Sequence, residues 1–230
     1  MQVQLLSPPL TKKLIMIKFI YFDFGAVLIN YDDVFTKVCD DFNLNRTSFF
    51  EFYDKFVLDM DVGKKNVGQF WKECIKNFGL KNASEYNFPK SWVSDYKIIK
   101  PIFNFIHSLD GKTNFGIISN IPAEVWWAAF ENGWVPKVKY NEILLSSDVG
   151  TTKPDQKIYE IAQIKSGVKS EEILFIDDKE ENLEKPKKMG WKTFLFDMNK
   201  AEKGVEEIKA LLKVSYKDRK VPDLPAPPKY

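Results

Sequence analysis

Beyond about residue 100 the chain alternates short, almost wholly apolar runs with longer segments of helical spacing. The runs at 114–120 (NFGIISN), 141–147 (NEILLSS), 172–178 (EILFIDD) and 191–197 (WKTFLFD) have the length and β-branched or aromatic content of strands. Between and after them come PAEVWWAAFENG, KPDQKIYEIAQIKSG, KEENLEKPKKMG and AEKGVEEIKALLKV, which read as helices. Strands that are apolar on both faces and joined by single helices pack as a parallel sheet covered on both sides. An earlier run of the same kind, KFIYF, ends at Asp23. The pattern predicts an α/β fold, a five-stranded parallel Rossmann-like sheet with helices on both faces.

The interval 31–94 differs in character. RTSFFEFYDKFVLDM and GQFWKECIKNFG carry helical spacing, and no strand pattern interrupts them. Phe49, Phe50, Phe52, Tyr53, Phe56, Phe70 and Trp71 read as the core of a small all-helical unit. Inserted directly after the first strand, such a unit is placed to act as a cap over that strand's carboxyl end. The expected organisation is a possible leader at 1–15, a core formed by 16–30 and 95–215, a helical cap at 31–94 and a Pro-rich tail at 216–230.

Composition narrows the function classes. The 230 residues carry 34 Lys and Arg against 32 Asp and Glu, a formal charge of +2 with no dense basic block, so nucleic acid is not the expected partner. The apolar run 14–22 is too short to span a bilayer and is broken by Lys18, which argues against a membrane segment. Cys39 and Cys74 stand in no metal-ligand spacing and read as reduced, buried thiols, pointing to a cytoplasmic protein. His107, the single histidine, lies near a helix end, where the dipole favours it, and has no partner with which to hold zinc.

The ends of the strands carry polar groups that a sheet does not require: Asp23 and Gly25, then Ser119 and Asn120, then Lys153, then Asp177 and Asp178. In a parallel sheet all carboxyl ends share one edge, so these groups are expected to converge. Three carboxylates repel one another unless a hard cation lies among them, and an all-oxygen donor set suits Mg²⁺. The Ser119 hydroxyl, the Asn120 amide, the Lys153 ammonium and the backbone N–H groups of Phe24 and Gly25 suit a dianion such as phosphate. A carboxylate nucleophile, a cation and an anion clamp together describe phosphoryl transfer.

FDFGAVL, IISN, the lysine of SSDVGTTKPDQKIY and LFIDDKEEN resemble, in order and spacing, the four motifs of the haloacid dehalogenase (HAD) superfamily, in its branch with a helical cap after the first strand. The resemblance implies a first strand lying between the second and the fourth. It implies Mg²⁺-dependent hydrolysis of a small phosphorylated metabolite, a sugar phosphate or nucleotide-like ester, through a phospho-Asp23 intermediate. It casts Ser119 and Lys153 as the phosphate clamp, Asp178 as a direct metal ligand, Asp177 as a direct or water-mediated one, the Gly25 carbonyl as a backbone ligand and Asn182 as a brace of the metal loop. LDMDVGKKNVG resembles the family's specificity loop, which makes Met60, Asp61 and Lys64 candidates for substrate contact.

The chain departs from the family at position 25. Most family phosphatases carry an Asp there that protonates the leaving group; this chain has glycine, as do a minority of sugar-phosphate phosphatases. General acid help is worth about 10²–10⁴ in rate, so the expected substrates are esters with good leaving groups, such as anomeric or acyl phosphates. Pro186 is a second departure, expected early in a helix, where free N–H groups tolerate it. Two rival readings are a metal-free haloacid dehalogenase, against which the paired acids of IDD argue, and a weakly catalytic domain that binds a phosphometabolite or a protein partner.

Overall fold

The computed structural model describes residues 16–216, so the expectations for the leader and the Pro-rich tail lie outside the described residues. Strands β1 (Phe19–Phe22), β4 (Asn114–Ser119), β5 (Glu142–Leu145), β6 (Ile173–Asp177) and β7 (Lys192–Leu195) form one five-stranded sheet in the order β5-β4-β1-β6-β7. Every pairing in it is parallel. The first strand lies between the second and the fourth of the sheet, as the motif resemblance implied.

Alternate residues of β1 enter two different cores. Ile20 and Phe22 pack with Phe105, Ile117, Leu174 and Ile176 on one face, and Phe19 and Tyr21 pack with Ile118, Tyr159, Phe175 and Trp191 on the other. A strand buried on both faces shows no polar alternation, which is why this run is continuously apolar in the sequence. The covering helices run at Lys100–Leu109, Ala123–Glu131, Gln156–Ser166, Glu180–Lys188 and Ala201–Tyr216.

Between the first and second strands of the sheet lies a helical unit with helices at Thr36–Asp41, Arg46–Tyr53, Val57–Asp61, Val67–Phe78 and Phe88–Trp92. The longest begins on a reciprocal cap: Asn66 accepts from the Gln69 N–H while the Gln69 side chain accepts from the Asn66 N–H. The aromatic residues form its interior, with Phe35 in ring contact with Phe49, Phe50, Tyr53, Phe88 and Trp92. Two short strands not visible in the sequence, β2 (Ile29–Asn30) and β3 (Lys97–Ile98), pair antiparallel where the chain leaves and re-enters the sheet layer. A two-residue ladder leaves no periodicity to read.

The loop after Val57–Asp61 touches the sheet layer. A β-carbon on Gly63, whose φ is +70°, would lie 2.3 Å from the Ser147 carbonyl oxygen. Only glycine fits this contact, which presses the loop onto the turn after β5.

Pro186 is not where the sequence suggested. It sits inside Glu180–Lys188, where it removes the N–H that would bond the Asn182 carbonyl. That carbonyl instead accepts from the buried Tyr159 hydroxyl at 2.7 Å. A long-range hydrogen bond thus replaces the one lost from the helix.

Candidate active site

Parallel register sets the carboxyl ends of β1, β4 and β6 almost level: Phe22 pairs with Ile117 on one side and Ile176 on the other. Asp23, Ser119 and Asp177 follow within two residues of these partners, so groups far apart in sequence meet at one edge. Oxygen atoms of Asp23, Asp177 and Asp178 all lie within 4.8 Å of one another.

Lys153 arrives from the loop after β5 and is the cation of this cluster. Its Nζ lies 2.7 Å from Asp23 Oδ1 and 2.6 Å from Asp177 Oδ2, and its side chain is 1% exposed. Burial works to lower its pKa, but the two carboxylates overcome burial and hold it above the ordinary lysine value. The ammonium is therefore permanent. Burial in turn pushes Asp23 up to about 6, against the pull of Lys153 and with the added push of Asp177.

Hydrogen bonds distinguish the roles within the cluster. Asp23 Oδ1 accepts from the Phe24 N–H at 2.7 Å as well as from Lys153, while Oδ2 accepts from no described residue. Asp177 accepts three hydrogen bonds: Oδ1 takes the Lys179 N–H and the Asn182 amide, each at 2.9 Å, and Oδ2 takes Lys153. Asp178 is half-buried and its carboxyl accepts from its own backbone N–H but from no other described residue; burial followed by repulsion from Asp177 raises its pKa against that bond. Asp23 and Asp178 thus present open carboxylate oxygens, whereas Asp177 organises Lys153 and the loop that bears Asp178. This all-oxygen set fits a hard divalent cation, which would also relieve the repulsion.

Asn120 has a second role besides the one expected from the sequence. Its amide oxygen accepts from the Lys153 N–H at 2.8 Å and its amide nitrogen donates to the Lys153 carbonyl at 2.9 Å. Both polar atoms position Lys153, and the second N–H of the amide, on a residue that lines the cavity, is left for a bound anion. The buried Ser119 hydroxyl, by contrast, meets no hydrogen-bond partner among the described residues.

These groups open into a cavity of about 350 Å³. Its lining includes Asp23, Gly25, Ser119, Lys153 and Asp178 from the sheet edge and Phe50, Tyr53, Asp61 and Trp92 from the helical unit, with Tyr31 and Tyr96 from the segments that join the two. Tyr53 reads as core because an aromatic residue at helical spacing is indistinguishable from one, and Tyr31 and Tyr96, which lie in the segments joining the helical unit to the sheet layer, belong to no pattern that would mark them. Asp61 lines the cavity, but Met60 is buried in the core and Lys64 is exposed outside it. Phe24 lies at the cavity wall with its ring packed on Tyr96 and Trp126. Trp127 points away and borders a separate groove. Asp33 and Asp41 pair with Lys97 and Lys37 at the surface, and His107 occupies the last turn of its helix.

Residues 20–196 match the model of the haloacid dehalogenase-like hydrolase family. A D-ribitol-5-phosphate phosphatase of Bacteroides thetaiotaomicron is 26% identical over 196 residues, 78% of this chain and 91% of the relative. Among solved structures, a HAD-family enzyme of the same organism in complex with magnesium and inorganic phosphate superposes with a TM-score of 0.64 at 22% identity, over 78% of this chain and 93% of that one. A HAD-like hydrolase from Porphyromonas gingivalis gives 0.67 at 24% identity, over 86% and 98% of the two chains.

Proposed function

Because this chain belongs to the haloacid dehalogenase-like hydrolases, we propose that it is a Mg²⁺-dependent phosphatase acting on a small phosphate monoester through a phospho-Asp23 intermediate. The observation that carries the reading is one cavity edge holding two open carboxylates, a permanent buried ammonium and an unpartnered hydroxyl. The relative named for ribitol-5-phosphate hydrolysis supports a phosphorylated sugar or sugar alcohol as substrate.

Asp23, Asp178 and the Gly25 carbonyl are the groups that would hold Mg²⁺, which when bound supplies a Lewis acid for phosphate oxygens and offsets the acidic charge. Ser119 and Lys153 clamp the phosphate. An Asp23 carboxylate oxygen attacks phosphorus, the bond to the leaving oxygen breaks, and the departing alkoxide takes its proton from solvent. Water then attacks the phosphorus of phospho-Asp23 and releases phosphate. Lys153 steadies Asp23 in both steps. Residues 31–94 act as a cap whose closure limits the entry of bulk water.

Phosphate release from a panel of phosphorylated sugars and polyols tests this reading. Release that needs Mg²⁺, stops with chelator and is lost in a folded Asp23→Asn variant is the expected result. Activity indifferent to chelator, or full activity of Asp23→Asn, refutes it.

A further inference from the structure

A second opening, of about 340 Å³, lies away from the chemistry, on the seam between the helical unit and the sheet layer. The helix Phe88–Trp92 and its cap contribute Asn87, Pro89 and Lys90 to it, and the helix Ala123–Glu131 contributes Glu124, Trp127 and Glu131. The last three stand at i, i+3 and i+7, so they form one stripe about 10 Å long with the indole between two carboxylates. Trp127 is 51% exposed, although tryptophan is ordinarily well buried, and its ring meets only Phe130 of its own helix. Neither glutamate nor Lys90 joins an ion pair among the described residues.

The complement of such a surface is an extended, proline-bearing segment with basic residues. Proline rings in a polyproline helix dock on aromatic grooves, and that helix is pre-formed, so little chain entropy is lost. Carboxylates beside the indole suit lysine or arginine. Residues 217–230, KDRKVPDLPAPPKY, carry Pro222, Pro225, Pro227 and Pro228 in two PxxP spacings, with four basic residues against two acidic ones. The groove has the opposite balance, two Glu against one Lys.

The segment is long enough to reach the groove. Helices Lys100–Leu109, Ala123–Glu131 and Ala201–Tyr216 cover one face of the sheet, their inner residues sharing one core. Packed helices lie about 10 Å apart, so Trp127 is at most two spacings, about 20 Å, to the side of the last helix. Both helices follow a strand and run back from the carboxyl edge; Tyr216 closes a helix of 16 residues and Trp127 is fifth in its own, an axial offset of about 17 Å. The separation is thus roughly 26 Å, whereas residues 217–228 span about 37 Å as a polyproline helix. Tethering also holds a segment at an effective concentration of order mM, so a weak contact suffices.

We propose that residues 221–230 dock in this groove, with Pro227 and Pro228 on the Trp127 indole, Lys229 at a flanking glutamate and Asp223 on the Lys90 side. The docked segment touches both the helical unit and the sheet layer and straps one to the other.

Acrylamide quenching of the full chain tests this, because Trp127 is the only exposed tryptophan of the six; the Trp127→Phe form of each chain gives the background of the other five. Pro225→Ser, Pro227→Ser and Pro228→Ser together, or Lys229→Glu alone, should raise the Stern–Volmer constant of Trp127 about twofold or more. A second measurement pairs Ala226→Cys with Asn132→Cys, which lines the groove. Cys39 and Cys74 are buried, so mild oxidation should join the new thiols within one chain, several-fold faster than in the same chain carrying Trp127→Ser. Circular dichroism, and turnover of an aryl ester, 4-nitrophenyl phosphate, check that each variant is folded. Quenching that neither change in the segment alters overturns the docking. So does a disulfide that fails to form, or whose rate Trp127→Ser leaves unchanged. A covalent dimer in place of the closed monomer gives the groove to the segment of a second copy and overturns docking within one chain.

Discussion

The Tyr31 ring occupies the space that a side chain at position 25 would need: its Cε1 lies 2.8 Å from where a β-carbon on Gly25 would stand. Gly25 has no left-handed backbone, so the constraint is the ring and not φ. The missing carboxyl and the tyrosine are therefore one structural feature. Gly25→Asp alone must turn the exposed Tyr31 ring aside, so it should cost less than the about 1–3 kcal/mol of an overpacked core, and with the ring still crowding the new carboxyl it should give no faster turnover. Gly25→Asp with Tyr31→Ala should make room for the acid. The wild-type rate should then fall steeply as the leaving group becomes more basic, whereas the double variant should show a flatter dependence and a gain of at least about tenfold on alkyl esters. Plotting log kcat/KM against leaving-group pKa for the three proteins checks this; parallel slopes contradict it.

Asn120 grips Lys153 through both of its amide atoms, which makes it a positioning residue. Asn120→Ala should lower kcat about tenfold or more while KM changes little, since Lys153 would lose its fixed place beside Asp23. Asn120→Asp keeps the acceptor but replaces the donor, and should recover only part of the loss. Steady-state kinetics on the aryl ester separate this from a direct substrate contact, for which KM would rise instead.

Tyr159 and Pro186 form a compensating pair across two helices. Tyr159→Phe leaves the Asn182 carbonyl without its hydrogen bond in a buried setting, which should cost about 1–3 kcal/mol of stability. Pro186→Ala restores the helical N–H, so the double variant should regain most of the loss. A urea-unfolding double-mutant cycle measures the coupling; about 1 kcal/mol or more is expected, and independent, additive effects would deny the compensation.

The strands and the main chemical residues were legible because they follow strong rules. Wholly apolar runs ending in acids gave the parallel sheet, and a parallel sheet forces Asp23, Ser119 and Asp177 to one edge. What escaped were matters of side-chain partnership. That Asn120 also holds the Lys153 backbone, and that Asp177 accepts three hydrogen bonds where Asp178 accepts none from another described residue, cannot be read from residue type or spacing. Phe50 and Tyr53 share the periodicity of core residues such as Phe49, yet they line the cavity. Pro186 was misplaced because its compensating partner lies 27 residues earlier in the chain, beyond the reach of any local signal.

Asp61 should cost stability in proportion to its charge. Burial pushes its carboxyl from the ordinary 3.8 up to about 6, with Lys179 pulling partly the other way; Tyr53, which also faces it, stays neutral because burial, reinforced by Asp61, raises its own pKa. A folded-state pKa above the unfolded value means that the folded protein holds the proton more tightly. The penalty is therefore nil below pH 3.8, grows as pH rises towards 6 and is complete above it, amounting to on the order of 2 kcal/mol. Asp61→Asn should thus unfold at higher urea than wild type at pH 7.5, with the difference shrinking by pH 5, as the folded wild type takes up its proton. Urea midpoints at the two pH values decide the matter. A variant less stable than wild type at pH 7.5, or a difference independent of pH, would show that the carboxyl is satisfied within the protein and is not held open for a ligand.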